Sequence, residues 1–184
     1  VGSVLPDYTA GISTSFTYKS FDLNALFDIS QGGKYYSLTN MWGMYSGMHE
    51  DTATPTSGGN TIREDGIVVP GVMPDGTPNT EVLDAAYYGS RFYHSSNRPS
   101  ETSVFDASYI KLRNISLGYT VPQFVDVIKS LKVSVYARNL AVWGLDNTGI
   151  DPETVVGGIG NIQGLEGGIV PATRSFGMNV SLKF

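Results

Sequence analysis

The chain holds 184 residues with a formal net charge of -5, 22 glycines, 11 tyrosines, two histidines and no cysteine. The lack of cysteine excludes disulfides, thiolate-held metals and thiol catalysis, and an acidic balance with only 12 Lys and Arg disfavours nucleic-acid binding. No apolar run approaches the roughly 18 to 20 residues of a membrane-spanning helix, so a bilayer would have to be crossed with strands.

The chain opens Val1-Gly2-Ser3 with neither Met nor a basic and apolar leader, and is expected to be processed or part of something longer. From Tyr8 to Tyr18, Ala10, Ile12, Thr14, Phe16 and Tyr18 alternate with Thr9, Gly11, Ser13, Ser15 and Thr17. Successive strand residues point to opposite faces, so this period of two predicts a strand with one mostly apolar and one small, polar face. After the Lys19-Ser20 corner, Phe21, Leu23, Ala25, Phe27 and Ile29 alternate with Asp22, Asn24, Asp28 and Ser30, Leu26 being the exception. Segments 8–18 and 21–30 therefore predict a hairpin.

Residues 31–105 keep no sustained period and contain Gly32-Gly33, Pro74-Asp75-Gly76 and Thr77-Pro78-Asn79. A connection of this length inside a compact domain is uncommon and usually functional. Short helices are expected near 40–47 and near 81–88, the second capped from Asn79-Thr80. Alternation returns over 108–121, with Ile115, Leu117, Tyr119 and Val121 opposed to Asn114, Ser116, Gly118 and Thr120. Pro122 ends that strand, and Phe124 to Lys129 predicts one helical turn. Leu131, Val133, Val135 and Ala137 then oppose Lys132, Ser134, Tyr136 and Arg138 in a strand of about 131–140. The connection 144–171 is glycine-rich. Its Gly157-Gly158-Ile159-Gly160 run lacks the frame and the Lys of a phosphate loop. Over 174–184, Phe176, Met178, Val180, Leu182 and Phe184 oppose Ser175, Gly177, Asn179, Ser181 and Lys183.

Five strands joined alternately by short and long connections predict an all-β fold, an antiparallel transmembrane β-barrel segment with short periplasmic turns and long extracellular loops. Tyr18, Phe21, Tyr119 and Phe184 would lie near the short-turn end and Tyr8, Tyr109 and Trp143 near the long-loop end, where aromatic girdles meet the headgroups. The smallest single-chain membrane barrels have about eight strands, and an open edge in hydrocarbon leaves backbone groups unpaired. The remainder of a barrel must come from elsewhere.

Three segments resemble the C-terminal region of SusC/RagA-type TonB-dependent outer-membrane transporters. They are Phe105 to Tyr119 with the following Val121-Pro122, Val135-Tyr136-Ala137-Arg138-Asn139-Leu140 with Asp151-Pro152-Glu153, and Pro171 to Phe184 with Arg174-Ser175-Phe176-Gly177. Leu5-Pro6-Asp7-Tyr8, Tyr18-Lys19 and Gln31-Gly32-Gly33-Lys34 fit the preceding hairpin. The resemblance implies residues 1–184 as the C-terminal portion of a barrel of about 22 strands. It also implies a plug domain and TonB engagement supplied by a missing N-terminal part, a SusD-like surface lipoprotein closing the mouth, and import of oligosaccharides or peptides in Bacteroidetes.

On this reading Phe176, Met178, Val180, Leu182 and Phe184 form the barrel-assembly signal, read by strand pairing. Asp22, Asn24, Asp28, Lys132, Tyr136 and Arg138, with Lys183, face the lumen, because a charge near the bilayer midplane would cost about 2 to 4 kcal/mol on the lipid side. Small ion pairs such as Asp28 with Arg138 are the plainer role for these groups. Trp42, Tyr45, Tyr87, Tyr88, Tyr93 and Trp143 are candidate substrate or lid contacts, with Phe92, His49 and His94 nearby; packing of the loop's own core is the competing role. Glu50, Asp51, Glu64, Asp65 and Asp75 offer oxygens for Ca²⁺ without EF-hand spacing; no other cofactor is expected. Neither a G-x-S-x-G elbow nor an H-E-x-x-H helix occurs, so an enzyme is not expected. Two alternatives stand beside the importer: a SusC-like barrel serving as a scaffold, and a secreted β-sandwich binding module, which would show about seven evenly spaced strands.

Overall fold

The computed structural model describes residues 2–94, 100–122, 127–147, 149–154, 163–170 and 172–184. The helical turn expected at Phe124 to Lys129 and the Gly157 to Gly160 run fall largely or wholly outside these residues. The chain divides into a sheet unit (2–34, 106–154 and 170–184) and a loop unit (35–105 and 155–169).

The sheet unit is a single five-stranded antiparallel layer in the order β1 (Tyr8–Tyr18), β2 (Phe21–Gln31), β7 (Tyr109–Val121), β8 (Ser130–Trp143) and β10 (Ser175–Lys183). The alternation sets the register: Phe16, Leu23, Leu117, Val135 and Met178 fall in one cross-strand row, and Ser15, Asn24, Ser116, Tyr136 and Gly177 in the next. The rows of one face are thus mostly apolar and those of the other mostly polar, Leu26 being an exception. On the apolar face Ile12, Phe16, Leu117, Val135, Met178 and Val180 are exposed, and no second sheet covers them among the described residues. A water-soluble sandwich would bury that face; the described residues of this sheet leave it open. Both long connections leave the sheet at one end and both short ones at the other.

The loop unit contains β3 (Lys34–Ser37), flanked by β6 (Val104–Asp106) and by β9 (Leu165–Glu166), which runs parallel to it. It also holds the two-residue pair β4 (Ile67–Val68) and β5 (Val82–Leu83) and the helices α1 (Leu38–Ser46), α2 (Ile62–Asp65) and α3 (Ala85–Phe92). Tyr35, Met41 and Met44 form its buried apolar core. The Ser37 side chain caps α1, accepting from the Asn40 N–H at 2.9 Å, and its hydroxyl donates to Glu166 at 2.6 Å. The second helix starts later than Asn79-Thr80 would have it. Asn79 is used in a turn, accepting from the Glu81 N–H and donating to the Val69 carbonyl. Residues 82–83 then pair as a strand, and Asp84 caps α3 by accepting from Ala86 and Tyr87.

Candidate functional site

The polar face of the sheet is organised by a change of phase in β7. Ile110 and Leu112 stand in line with the apolar residues Ile29 and Phe27 of β2, and Ile115 and Leu117 with Ala25 and Leu23. Their parity differs, because Arg113 is an extra residue where pairing passes from Leu26–Asn114 to Phe27–Leu112. Such a bulge bends the strand and re-aims its side chains. On the β8 side the pairing passes from Asn114–Arg138 to Leu112–Ala141, around Asn139 at a left-handed φ of 50°, a conformation that Asn tolerates better than most residues.

The bulge brings Tyr109, Lys111 and Arg113 to the polar face beside Asp28, where they meet Asp151 and Glu153 from the second long connection. Lys111 is 5% exposed. Its ammonium pairs with Asp151 at 2.6 Å and with Glu153, and it lies 4.6 Å from the centre of the Tyr109 ring. Arg113 donates to Asp28 through Nη2 at 2.6 Å and Nε at 3.0 Å, and also pairs with Glu153. The Tyr109 hydroxyl donates to Glu153 at 2.8 Å. Asp151 also accepts from the Glu153 N–H at 3.0 Å, tightening the connection into a turn. Burial opposes ionisation of Glu153, but hydrogen bonds from Arg113, Lys111 and Tyr109 outweigh it and hold the carboxyl at about 2. Two cations against three carboxylates, with the lone pairs used, make a cluster that fastens the connection to the sheet. A cavity of about 220 Å³ adjoins it, lined by Lys111, Asp151, Asn139, Val142, Ile150 and Arg174 among others.

Further along the same face, Lys132 pairs with Asp22 at 2.7 Å. The pair passes over Gly118, where a Cβ would stand 2.7 Å from the Asp22 carboxylate and 2.8 Å from the Lys132 stem. Asn24 lies 3.5 Å from the Ser116 hydroxyl. The Tyr136 ring covers Gly177 of β10, so close that a Cβ there would stand 2.4 Å from it, and the Arg138 guanidinium lies 5.1 Å from that ring's centre. The six residues expected on the polar face therefore share it. Asp28, however, takes Arg113 and not Arg138 as its partner, since the bulge delivers a closer guanidinium from the neighbouring strand. Tyr109, expected in a girdle, is turned to the polar face by the same shift and buried. Trp143 stands opposite Ile110 on the apolar face, 49% exposed. Phe176, Met178, Val180, Leu182 and Phe184 are all exposed.

The loop aromatics separate into groups. Tyr45, Tyr88 and Tyr93 line one cavity of about 530 Å³ with Asp51 and Arg63. The rings of Tyr88 and Tyr93 are 5.7 Å apart at 71°, and Tyr45 lies 4.8 Å from His94. Burial and a hydrogen bond with Tyr88 push the Tyr93 hydroxyl pKa upward. Trp42 faces a different surface with Met48 and Leu38, and Tyr87 a third beside Arg91. The loop acids bond to neighbouring polar groups: Asp65 to Thr56 and Asn60, Glu64 to Thr61, and Asp75 to Thr77, which holds all three carboxyls below the usual range. Among the described residues no group of three or more His, Asp or Glu side chains converges on a metal-sized site.

The sequence signal for Lys111 and Arg113 was present. Apolar residues at 110 and 112 followed by 115, 117 and 119 break the alternation by one position, which is the mark of a bulge. Asp151 and Glu153 carried no such signal, since their roles arise from contacts 40 residues or more distant.

No family model matches the chain. TonB-dependent receptor P3 of Formosa agariphila is 29% identical over 192 residues, covering 100% of this chain and 17% of that receptor. TonB-dependent receptor P26 of the same organism is 29% identical over 191 residues, covering 100% of this chain and 18% of its own length. The chain thus spans less than a fifth of the length of these curated relatives. Among solved structures, the RagAB peptide importer in its closed-closed state matches with a TM-score of 0.50 and 20% identity, over 78% of this chain and 14% of that one. At that identity the likeness concerns the fold.

Proposed function

We propose that the chain forms a section of wall and mouth in a SusC/RagA-type outer-membrane importer, a reading supported by its similarity over its whole length to two TonB-dependent receptors. The observation that carries this is the single-layer sheet with one open apolar face and one polar face. In a bilayer the apolar face meets lipid and the polar face lines the lumen. Backbone groups along the outer edges of β1 and β10 then pair with further strands of the same barrel, because unpaired groups in hydrocarbon cost several kcal/mol each. The strands, of 9 to 14 residues, all reach the roughly 9 to 11 residues that a tilted spanning strand needs, β7 and β8 running a few residues beyond it.

Each part has a place in this scheme. The two long connections lie at the extracellular mouth, where a SusD-like lipoprotein would meet them. The Lys111–Glu153 cluster fastens the second connection to the wall, keeping the mouth in shape while cargo passes. Asp22, Asn24, Lys132, Tyr136 and Arg138 keep the lumen wall hydrated and rigid. The alternating residues from Phe176 to Phe184 provide the assembly signal. A plug and TonB contact supplied by the rest of the receptor would power entry of oligosaccharides or peptides. The role is transport and not catalysis.

The test uses the full-length receptor in lipid nanodiscs, with nitroxide labels placed singly at Ile12, Phe27, Leu117 and Val180 and at Asn24 and Ser134. The first four should be relaxed by oxygen dissolved in the bilayer and the last two by a water-soluble paramagnet. Water accessibility at the first four, or a dry protein interior around them, would refute the membrane placement.

A further inference from the structure

We propose that the short-turn end of the sheet's apolar face is a binding surface for an anionic phospholipid headgroup, with Lys19 and Lys129 as the cations that meet its phosphate. The inference goes beyond the importer reading but rests on its placement of the sheet in a bilayer. Charge is unevenly spread along the chain. Residues 18–22, 119–132 and 181–184 comprise the two short connections and the strand ends beside them. They hold four of the six lysines, Lys19, Lys129, Lys132 and Lys183, and only two of the 17 carboxylates, Asp22 and Asp126. Asp22 is taken by Lys132 on the polar face, and Asp126 lies outside the described residues. In a chain of net charge -5, this end is locally basic.

The geometry sets these cations beside apolar surface. Lys19 occupies the β1–β2 corner at a left-handed φ of 54°, a conformation that few residues besides Gly, Asn and Asp adopt. Its ammonium lies 5.4 Å from the centre of the Tyr18 ring, and Tyr18 shares the phase of Ile12 and Phe16 on the apolar face. Phe21 of β2 stands opposite Tyr119 of β7, with ring centres 4.7 Å apart. The corner is tied to β7 by the Thr120 N–H, which donates to the Ser20 carbonyl at 2.8 Å. Lys129 is set beside the end of β10, its N–H donating to the Lys183 carbonyl at 2.8 Å. It precedes Leu131 by two residues, in the phase of the apolar face, and is exposed. Among the described residues neither Lys19 nor Lys129 pairs with a carboxylate. Tyr18, Phe21 and Tyr119 thus form an exposed aromatic strip with an unpaired cation toward either end. Aromatic rings of this kind sit at headgroup level, where acyl chains meet the strip and phosphates meet the lysines. A zwitterionic headgroup brings its own cation and competes with them, whereas an anionic one leaves its phosphate charge for them to match. An acidic protein partner would have no use for the aromatic strip.

The full-length receptor is placed in nanodiscs of phosphatidylglycerol and phosphatidylcholine in equal parts, with a photoactivatable analogue of one or the other, and cross-linked residues are mapped by mass spectrometry. The phosphatidylglycerol probe should mark residues 18–21 and 119–121 several-fold above the phosphatidylcholine probe. Lys19→Asn, which suits the left-handed corner, and Lys129→Gln should each lower that yield about fivefold, the factor carried by one lysine at an anionic surface. Lys183→Gln, on the polar face, should leave it unchanged, and cross-links elsewhere on the barrel should not respond to any of the three. Equal marking by the two probes overturns the proposal, as does a preference that survives in the Lys19→Asn, Lys129→Gln double variant. An equal loss with Lys183→Gln also overturns it, because the attraction would then be diffuse, and so does displacement of the probe by inorganic phosphate. Nitroxides at Leu117 and Val180 report the bilayer placement separately. Lipid-exposed labels without a headgroup preference sink this inference alone, and labels out of reach of lipid sink the importer reading with it.

Discussion

Replacing Lys111 by Met in the full-length receptor keeps most of the buried stem and removes the charge. The Lys111 side chain is 6% exposed, and its ammonium pairs with Asp151 and Glu153, whose side chains are 14% and 34% exposed. Removing one member of a buried pair costs about 3 to 5 kcal/mol where the orphaned charge has no escape. Here the orphans sit on a connection that can swing into water, so the penalty is limited to the fastening itself. Holding Glu153 at about 2 against an ordinary 4.5 corresponds at most to about 3 kcal/mol, and solvent screening of a group one-third exposed reduces this to about 1 to 2 kcal/mol. Arg113 and Tyr109 retain part of that, while the Asp151 pair is lost entirely. The expected loss is about 2 kcal/mol, or roughly a 30-fold fall in protection. Hydrogen exchange read by mass spectrometry should show it at residues 149–154, with 109–121 unchanged because the β7 ladder to β2 and β8 remains. Unchanged exchange at 149–154 would refute the fastening role. So would an equal loss along β7, which would mean that Lys111 supports the wall and not the connection.

Protonation should mimic that substitution. Because the Glu153 carboxyl lies lower in the folded protein than in an unfolded chain, its contribution is complete above about pH 4.5 and is lost as pH falls toward 2. A nitroxide at Thr154 should stay immobile down to the upper limit and loosen below it, and Glu153→Gln should abolish the step. In the loop unit, Glu166 is 3% exposed and accepts hydroxyl bonds from Ser37 and Thr39, each at 2.6 Å. Glu166→Ala leaves both hydroxyls without their acceptor and should cost about 1 to 3 kcal/mol, seen as faster exchange at 163–170, with Glu166→Gln retaining part of the protection. On the sheet, Leu117→Arg should destabilise the folded receptor by about 2 to 4 kcal/mol if Leu117 lies near the bilayer midplane. Ser116→Arg, one residue away on the polar face, should cost less. Heat-modifiability on gels compares the two, and equal shifts would contradict the assignment of faces.

What the sequence disclosed and what it concealed follow the range of the interactions involved. A strand with one apolar and one polar face writes its pattern in consecutive residues, so Ile12, Phe16, Leu117, Val135 and Val180 announced one face without knowledge of any partner. Where a strand departs from regularity the same pattern still carried the information: the offset between Ile110–Leu112 and Ile115–Leu117 marks the bulge that aims Arg113 at Asp28. Read as a continuous alternation, it pairs Asp28 with Arg138 and sends Tyr109 toward lipid. Asn139 had a similar effect in β8, since a residue in the left-handed region lets the strand run on to Trp143 where uniform alternation ends at 140. The loop unit was least legible because its order comes from contacts such as Ser37 with Glu166, 129 residues apart, and its helices are too short for periodicity to fix their starts. Asp84 and Asn79 are equally good caps by residue type, and what separates them is the pairing of Val82 with Val68. The same reasoning explains why the charged cluster matters more than any single residue of the polar face. It ties a connection that has no periodic signal of its own to a strand that has one, and so gives that connection a fixed geometry beside the sheet's polar face.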